Sequence, residues 1–441
     1  MDAALRINIW KVCPHRGLPH RLALFVALFS FAQSLVFAQA KPLTWQEVKD
    51  KFAAANPNLK AGQLNIDESK ANEITAFLRP NPSLSLTNDQ ITLGRMLGAP
   101  PGQSGPYRPL ANMLQSASVA YLYERGNKRE LRKESAVKAT AIAESQQADL
   151  VRNLLFNLRA AFVQVLQSKA VLKLVKENLE YYEKVLTLSQ QRYDAGDIAK
   201  VDLDRLQLQK IQYESDIQNA ETNLRTAKIQ MLAILNDRSP IESFDVDGAY
   251  DFSETIQPLD DFHKAAIEAR PDLRAAIQTI EKAKTDHQLA IANGTADPTF
   301  SVDMGRNPPL SLYIGAGVNI PLRVFDKNQG EKLRTLLDIT RNERLREAAE
   351  AQVYSDVDSA YVNLSSNSVL LRRFKAQYLD QALKVRDTIA FAYQRGGASL
   401  LDFLNAQNDY RATQLNYLNL IGSYMTAASQ LNLAVGREIL Q

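Results

Sequence analysis

Two long stretches of the chain contain no proline, and each follows a segment in which prolines are frequent. The stretches cover residues 110–239 and 322–441 of the 441-residue sequence. Because proline is hard to place inside a helix, both stretches can form very long helices, whereas the segments before them cannot. The alternation predicts a chain made of two copies of one mainly helical unit.

Apolar side chains recur every seven residues within both stretches, as in helices that pack side by side. The first row contains Val151, Leu158, Val165, Leu172, Leu179 and Leu186, and the second contains Val357, Leu364, Leu371, Tyr378 and Val385. Rows of this length are typical of coiled-coil helices, because the helices of globular domains average about 11–12 residues.

One phrase containing glycine interrupts each helical stretch: RYDAGDIAKVDLDRLQ from residue 192 and AYQRGGASLLDFLNAQ from residue 392. Glycine can adopt the positive φ that ends a helix and turns the chain back, so each stretch predicts a helical hairpin. At an offset of 200 residues, the phrases share Tyr193 and Tyr393, Gly196 and Gly396, and Asp202 and Asp402.

Three further phrases occur twice, in the same order around these hairpins. They are ANPNLKA and ARPDLRA from residues 55 and 269, NPSLSL and DPTFSV from 81 and 297, and ERGNKRELR and DKNQGEKLR from 124 and 326. Pro57 and Pro271 in the first pair suit the first turn of a helix. The order predicts a first repeat at 41–236, a linker around the middle of the molecule at 237–264, and a second repeat at 265–441.

Helix lengths predict how each copy is arranged. The long arm at 127–194 would span about 100 Å at about 1.5 Å per residue, and the returning arm at 201–236 is too short to retrace it. A short helix at 58–79, placed end to end with the returning arm, nearly makes up the difference. The second copy repeats this with 331–394 against 272–291 and 401–435. One straight and one composite helix per copy could form the wall of a cylinder.

Apolar and polar side chains alternate between the short and long helices, which predicts antiparallel strands. The apolar faces are Leu84 and Leu86, then Ala117, Val119, Tyr121 and Tyr123, then Phe300, Val302 and Met304, then Leu312, Ile314, Ala316, Val318 and Ile320. The pattern fits a half-buried soluble sheet or the wall of a membrane barrel. Four strands cannot close a barrel, because the smallest natural ones need about eight, so a barrel would require several chains.

Residues 1–40 are predicted to be a secretory signal that is cleaved near Ala40. Arg16 and Arg21 form a basic lead, residues 22–32 are apolar, and Ala38 belongs to a cleavage site of small residues. The single cysteine, Cys13, precedes the apolar run. Neither an N-terminal lipid anchor nor a disulfide in the exported chain is therefore expected.

The composition of residues 41–441 disfavours several classes of protein. Basic and acidic residues are equal in number there, which argues against a nucleic-acid partner. The two histidines, His263 and His287, lie far apart in the sequence, so surface roles are expected for both, and no metal site and no cofactor is predicted. No glycine-rich phosphate loop or nucleophile motif appears, so an enzyme with catalytic residues is the least favoured class.

The order and duplication of these phrases resemble the TolC-type outer-membrane efflux family across nearly all of residues 41–441. The matching segments are LTWQEVKDKFAAANPNLKA, ARPDLRAA, NPSLSL, DPTFSV, the two tip phrases, and IPLRVFDKNQG from residue 320. The last segment, together with ERGNKRELR, is most similar to the branch of cobalt-zinc-cadmium metal efflux channels. The resemblance implies a mainly α fold with a membrane β-barrel portion: a homotrimer with a twelve-stranded barrel and a long helical tunnel.

The resemblance also implies a location and partners. The barrel would lie in outer-membrane lipid of a Gram-negative bacterium, and the tunnel would extend into the periplasm. The trimer would be the exit duct of a tripartite efflux system, passing small molecules or metal ions from an inner-membrane pump and a periplasmic adaptor. It would catalyse nothing itself.

The resemblance further implies a periplasmic gate at the hairpin tips. Asp402 matches a position whose carboxylates ring the constriction and favour cations, and Asn405 stands where many members have a second acid. The tip tyrosines match residues whose hydrogen bonds hold the closed state, although Ala398 occupies the place of a basic partner found in some members. The predicted gate residues are Tyr193, Gly196, Asp202, Tyr393, Gly396, Asp402 and Asn405. The alternative is that the two acids only cap helix starts.

Two other functions are open at this point. An outer-membrane duct for type I protein secretion would use the same architecture. A periplasmic coiled-coil scaffold without a pore would explain the helices, and its strands would form a soluble sheet.

Overall fold

The computed structural model describes residues 41–89, 113–253, 258–307 and 310–440. The predicted signal at 1–40, the loop through the prolines at 100–109 and the two prolines of the turn at 307–310 lie outside the described residues. Within the described ranges, no helix combines the length and the apolar character needed to cross a membrane.

The first copy forms its elements in the predicted order. They are α1 (Trp45–Ala55), α2 (Pro57–Phe77), β1 (Ser83–Asp89), β2 (Leu114–Leu122), α3 (Lys128–Asp194) and α4 (Lys200–Ile234). Helix α3 has 67 residues, and its bounds agree with the predicted long arm within one residue. The long hairpin of the first copy is thus confirmed.

The second copy repeats this order. It consists of α5 (Leu259–Ala269), α6 (Pro271–Asn293), β3 (Thr299–Asn307), β4 (Leu310–Asn319), α7 (Gln329–Arg373), α8 (Leu379–Gln394) and α9 (Leu400–Val435). Pro57 and Pro271 are the first residues of α2 and α6, as predicted. Helices α1 and α5 were not predicted, because each has only 11 residues and is too short to show a heptad row.

Each composite helix is joined by the residue that precedes its upper piece. Asn56 accepts a hydrogen bond from the main-chain N–H of Asn58 (2.9 Å) and donates through Nδ2 to the carbonyl of Ile234, where α4 ends (3.0 Å). In the second copy, Arg270 donates to the carbonyl of Ala434 near the end of α9 (3.2 Å). Both residues satisfy carbonyls that a helix end leaves unpaired. The predicted end-to-end placement is confirmed.

Arg270 also holds two carboxylates at its joint. Its side chain is 4% exposed and lies 2.6 Å from Asp272 and 2.8 Å from Asp356. Burial alone would lower the pKa of Arg270, but hydrogen bonds to the two carboxylates raise it above its ordinary value. The guanidinium therefore stays charged, and it ties α6 to α7 and to the end of α9.

The four strands form one antiparallel sheet in the order β1-β2-β3-β4. Rows of residues cross the sheet in register and alternate in polarity, as predicted. One row contains Leu84, Val119, Val302 and Ala316, and the next contains Ser85, Ser118, Asp303 and Gly315. The apolar face is uncovered: Leu86 is 73% exposed and Ile314 is 76% exposed. No helix of the described chain shields it, which argues against the soluble-sheet alternative.

The core is divided into three clusters along the helices. One joins α1, α3 and α4 around Phe162 and Met231, a second joins α5, α6, α7 and α9 around Leu364 and Leu431, and a third lies near the tips around Tyr182. The predicted linker contributes to the first two clusters. Phe244 is buried in the first, and the hydroxyl of Tyr250 donates to the carbonyl of Leu418 on α9 (2.7 Å).

A π turn at Phe374–Tyr378 separates α7 from α8 and changes the heptad row of the second copy. Val357, Leu364 and Leu371 are fully buried, but Tyr378 is 41% exposed. The expectation that this residue and Val385 continue the row is therefore wrong. A π turn closes with an i→i+5 hydrogen bond, so its additional residue rotates the following side chains by about 100° around the helix axis.

Candidate functional site at the hairpin tips

The two hairpin tips have the same backbone geometry. Gly196 has φ of 84° and Gly396 has φ of 76°. A side chain at either glycine would meet nothing within 4 Å, so glycine is needed there for its positive φ and not for space. In the first tip the N–H of Asp197 bonds to the carbonyl of Arg192 (2.8 Å), and in the second Gly397 bonds likewise to Ala392 (2.8 Å). The sequence match at an offset of 200 therefore reports a structural match.

Tyr393 lies in the cluster that holds the two hairpins together. This tip cluster consists of Tyr182, Leu206 and Tyr213 from the first hairpin and Ala390, Tyr393, Leu400 and Phe403 from the second. The Tyr393 ring is 8% exposed and stacks on Phe403 with 4.9 Å between ring centroids. After the π turn, Ala390 and Tyr393 take over the buried row that Leu371 leaves. The π turn thus determines which residues of α8 face the first hairpin.

Two charged residues of the first hairpin flank Tyr393. Arg192 donates to the Tyr393 carbonyl (3.3 Å), and its guanidinium lies 5.4 Å from the ring centroid. Burial raises the pKa of the Tyr393 phenol, the Asp202 carboxylate adds to the increase, and Arg192 opposes it. The tyrosine therefore remains neutral in the physiological pH range, with one acid and one base of the other copy beside it.

The Tyr393 hydroxyl was expected to form a hydrogen bond, and it forms none within the described chain. Its oxygen is buried and has no hydrogen-bond partner among the described residues. Leaving such a group unpaired costs about 1–3 kcal/mol. Within one chain, the tip is held by ring packing and by Arg192 instead. Arg192 was not singled out from the sequence, because the comparison of the two tip phrases selects residues that both contain, and Ala392 occupies the matching position in the second phrase.

The two tip acids have different surroundings. Asp402 accepts hydrogen bonds from the Ser399 hydroxyl (2.7 Å) and N–H (3.2 Å), and the Asp402 N–H donates back to the hydroxyl (3.1 Å), which makes a capping box. Asp202 has Ala199 at the position of Ser399, so its helix has no side-chain cap. The capping alternative therefore describes Asp402, whereas the carboxylate of Asp202 is close enough to Tyr393 to raise the pKa of its phenol.

The remaining predicted residues lie on the surface of the tips. Tyr193 is half-buried, and Asn405 is exposed on α9. Sequence reasoning missed charged contacts farther from the turns on the same helices. Arg411 of the second hairpin lies 3.0 Å from Asp216 of the first, and Arg386 lies over the Tyr181 ring at 4.8 Å. Such pairs between copies have no sequence signal, because the spacing between the partners is set by the fold.

The two histidines lie apart from each other and from the tips. His263 Nε2 is 2.7 Å from Asp358, and His287 Nδ1 is 2.9 Å from the Thr335 hydroxyl. In the ranges that the structure describes, no group of three or more His, Cys, Asp or Glu side chains is arranged to hold a metal ion.

The difference between the tip caps predicts opposite effects of two substitutions. We expect Ser399→Ala to destabilise the start of α9 by about 1 kcal/mol, the usual value of a lost cap, and Ala199→Ser to stabilise the start of α4 by up to about the same amount. Amide hydrogen exchange in the first turns of both helices measures this. Equal and unchanged protection in both variants would contradict the assignment of the capping box.

Comparisons with known proteins agree with this architecture. Residues 49–237 match the family model described as outer membrane efflux protein. The cobalt-zinc-cadmium resistance protein CzcC of Cupriavidus metallidurans is 23% identical over 414 residues, 90% of this chain and 91% of that protein. The outer membrane protein TolC of Escherichia coli is 21% identical over 417 residues, 86% of this chain and 82% of that protein.

Solved structures share the fold. The outer-membrane channel OprN has a TM-score of 0.73 at 16% identity, with 90% of this chain and 93% of that chain covered. The outer membrane protein VceC of Vibrio cholerae has a TM-score of 0.71 at 16% identity, with 90% and 96% covered. The resemblance predicted from the repeated phrases is thereby confirmed: residues 49–237 match the outer membrane efflux protein family, and the chain is an outer-membrane efflux channel protein similar to TolC over most of its length.

Proposed function

We propose that the chain assembles as a homotrimer and serves as the exit duct of a tripartite efflux system. A periplasmic adaptor and an inner-membrane pump would deliver its cargo and supply the energy, and the duct itself would catalyse nothing. The supporting observation is the uncovered apolar face of a sheet whose outer strands, β1 and β4, are both unpaired within the described chain. Unpaired strand edges are not tolerated in lipid, so further copies must pair with them.

We place the closed gate at the contact between the two hairpin tips. Tyr393 is packed between the hairpins, and Arg192 and Asp202 of the first hairpin flank it. Separating the hairpins would expose this ring and break the Arg192 hydrogen bond, so the contact stabilises the closed arrangement. Asp402 and Asn405 are exposed at the tips and Tyr193 is half-buried there. Neighbouring subunits would bring these residues together around the entrance. Gly196 and Gly396 supply the turns.

The remaining parts of this proposal come from the sequence. A signal at residues 1–40, cleaved near Ala40, would direct export to the outer membrane. The repeats at 41–236 and 265–441 would be joined by the linker at 237–264, and α5 runs across the boundary between the linker and the second repeat.

CzcC is named for cobalt, zinc and cadmium resistance, and OpmQ of Pseudomonas aeruginosa, 23% identical over 68% of this chain, is named for pyoverdine export. Relatives with such different cargo favour selection by the pump over selection by the duct.

Membrane fractionation tests the proposed assembly. We expect the chain, expressed with residues 1–40 in a Gram-negative host, to be recovered in the outer membrane as a trimer that dissociates to monomers on heating. Alkaline washing should leave it in the membrane fraction. Such washing removes proteins that are bound to the membrane surface by electrostatic contacts, and it does not extract strands that are embedded in lipid. Recovery of a soluble periplasmic species would overturn the proposal in favour of the scaffold. If the inner-membrane pump encoded beside this chain exported a polypeptide, a duct for type I protein secretion would be supported instead.

A further inference from the structure

A pocket lies between the two copies of the unit, next to the joint at Arg270. Helices α1 and α3 of the first copy line one side, and the start of α6 and the end of α9 line the other. We call it the joint pocket. Its volume is about 280 Å³, just below the range of about 300–1,000 Å³ that is usual for drug-sized ligands. Its large apolar side chains are Trp45, Val151, Leu155, Phe156, Pro271 and Leu433. Size and lining therefore suit a small ligand with an apolar body.

The joint pocket also carries an excess of positive charge. The described residues around it include four basic side chains and one acidic one: Lys49, Arg152, Arg159, Arg437 and Glu438. Two of the basic side chains are already paired. Lys49 donates to Glu438 (3.0 Å), and Arg152 donates to Asp149 (2.5 Å). Arg437 is exposed to solvent, which leaves Arg159 as the cation to be explained.

Arg159 is held by aromatic rings and has no anionic partner. Its guanidinium lies 4.6 Å from the ring centroid of Trp45 and 5.7 Å from that of Phe162, and it forms no hydrogen bond or ion pair with another described residue. Burial lowers the pKa of Arg159, and the charge of Glu438 opposes the decrease. Because a guanidinium keeps its proton in proteins, burial without an anion is unfavourable. An anion in the pocket would offset that cost.

Two other polar side chains of the joint pocket are used within the chain. The Ser429 hydroxyl donates to the carbonyl of Met425 (2.9 Å), and the amide oxygen of Asn432 accepts from the N–H of Ile439 (2.8 Å). They are therefore poor candidates for holding a ligand. A ligand would instead be held by one charged contact, at Arg159, and by apolar contacts elsewhere.

We propose that the joint pocket binds a small carboxylate with an apolar body, and that Arg159 holds the carboxylate. The two oxygens of a carboxylate match the planar guanidinium. A carboxylate brings one negative charge, whereas a phosphate monoester brings up to two to a pocket with one unpaired buried cation. The ligand would contact both copies of the unit and stabilise their packing at the Arg270 joint. This site is separate from the tips, and it requires neither the proposed homotrimer nor the proposed gate.

The position of the joint pocket disfavours a membrane lipid as its ligand. Helix α3 begins beside the sheet at Lys128. At about 1.5 Å per residue, Arg159 lies about 45 Å farther along that helix. The headgroup of a lipid that remains in the membrane with the sheet cannot reach so far. The expected ligand is therefore a soluble acid.

Trp45 makes binding directly measurable. The sequence has two tryptophans, Trp10 inside the predicted signal and Trp45, so the indole emission of the exported chain comes from the pocket alone. We would titrate the purified protein in detergent with 4-phenylbutanoate, 4-phenylbutan-1-ol and 4-phenylbutylamine, which share one apolar body. We expect a saturable change with the acid, at least tenfold weaker binding of the alcohol, and no saturable change with the amine. The alcohol and the amine also control for uptake of the phenyl group by detergent.

Arg159→Gln should weaken binding of the acid at least tenfold, to the level of the alcohol, because hydrogen bonds between ionised groups are the strong ones. Lys173→Gln is the matched control: its side chain lies on the same helix and is 80% exposed, and the affinity should not change. The acid should also raise the midpoint of thermal unfolding of the unchanged protein and of Lys173→Gln, since a ligand that binds the folded state stabilises it. It should not raise that of Arg159→Gln.

Several results would overturn the proposal. No saturable change with the acid would show that the pocket does not bind this class of ligand, and equal affinities for the acid and the alcohol would rule out recognition of charge. Unchanged affinity in Arg159→Gln would place the anion elsewhere. Tighter binding of 4-phenylbutyl phosphate than of the acid would contradict the choice of a carboxylate. The comparison among ligands uses the unchanged protein, so it remains decisive even if Arg159→Gln fails to fold.

Discussion

Replacing Tyr393 by alanine should open the channel at its periplasmic end. The ring is buried between the two hairpins, stacked on Phe403 and flanked by Arg192. Truncating a buried aromatic ring costs about 3–5 kcal/mol, and about 1.4 kcal/mol corresponds to a tenfold change in an equilibrium. If the substitution destabilises only the closed arrangement, and does so by about 3 kcal/mol, the fraction of open channels rises roughly 100-fold. The host should then become sensitive to antibiotics that are too large for its ordinary porins.

Tyr393→Phe is the matched control for this prediction. It keeps the ring and removes a hydroxyl that is buried without a hydrogen-bond partner in the described chain. Removing such a group is close to neutral or stabilising, so the host should remain as resistant as with the unchanged protein. Equal sensitivity of the Phe and Ala variants would show that a hydroxyl contact across subunits, and not ring packing, holds the gate.

Replacing Arg270 by alanine should produce the largest loss of stability away from the tips. The substitution removes the cation that Asp272 and Asp356 share, leaving Asp272 only the longer contact with Arg152 (3.7 Å), and it leaves the Ala434 carbonyl without its donor. We expect a cost of about 2–3 kcal/mol. This is below the 3–5 kcal/mol of a fully buried pair, because both carboxylates remain 35% exposed. Urea unfolding of the detergent-solubilised protein measures it.

Arg341→Ala provides the comparison for the Arg270 experiment. Arg341 lies close to Asp338 on the same helix, but its side chain is 68% exposed. Exposed pairs contribute about 0–1 kcal/mol, so the midpoint of unfolding should hardly change. If both arginine variants unfold at the same urea concentration, the joint at Arg270 does not hold the composite helix together.

The sequence predicted the helical hairpins and the strands well, because their signals are local and repeated. Prolines marked the segments outside the long helices, glycines marked the tips, and the period-two pattern gave both faces of the sheet. The heptad row in α7 gave the buried face as far as Leu371. The row does not indicate the π turn. The turn is defined by its i→i+5 hydrogen bond, and the apolar residues before it keep their spacing of seven.

The candidate site was predicted less completely than the fold. Gly196, Gly396 and the tip tyrosines were found because both copies have them. Arg192 was missed because only one copy has it, and its partner is about 200 residues away in the chain. The acids looked alike in sequence, yet a single difference between Ser399 and Ala199 gives Asp402 a capping role and leaves Asp202 beside Tyr393. Contacts between the two copies depend on how their helices pack, and the spacing of residues along the sequence does not indicate that packing.

Single-channel conductance in planar bilayers tests the central claim most directly. We expect the purified trimer to insert and conduct weakly, with Tyr393→Ala conducting several-fold more and Tyr393→Phe resembling the unchanged protein. This result would show a continuous duct whose narrowest point lies at the hairpin tips. A trimer that inserts but conducts equally in all three forms would contradict the gate at Tyr393, and a protein that never conducts would contradict the channel itself.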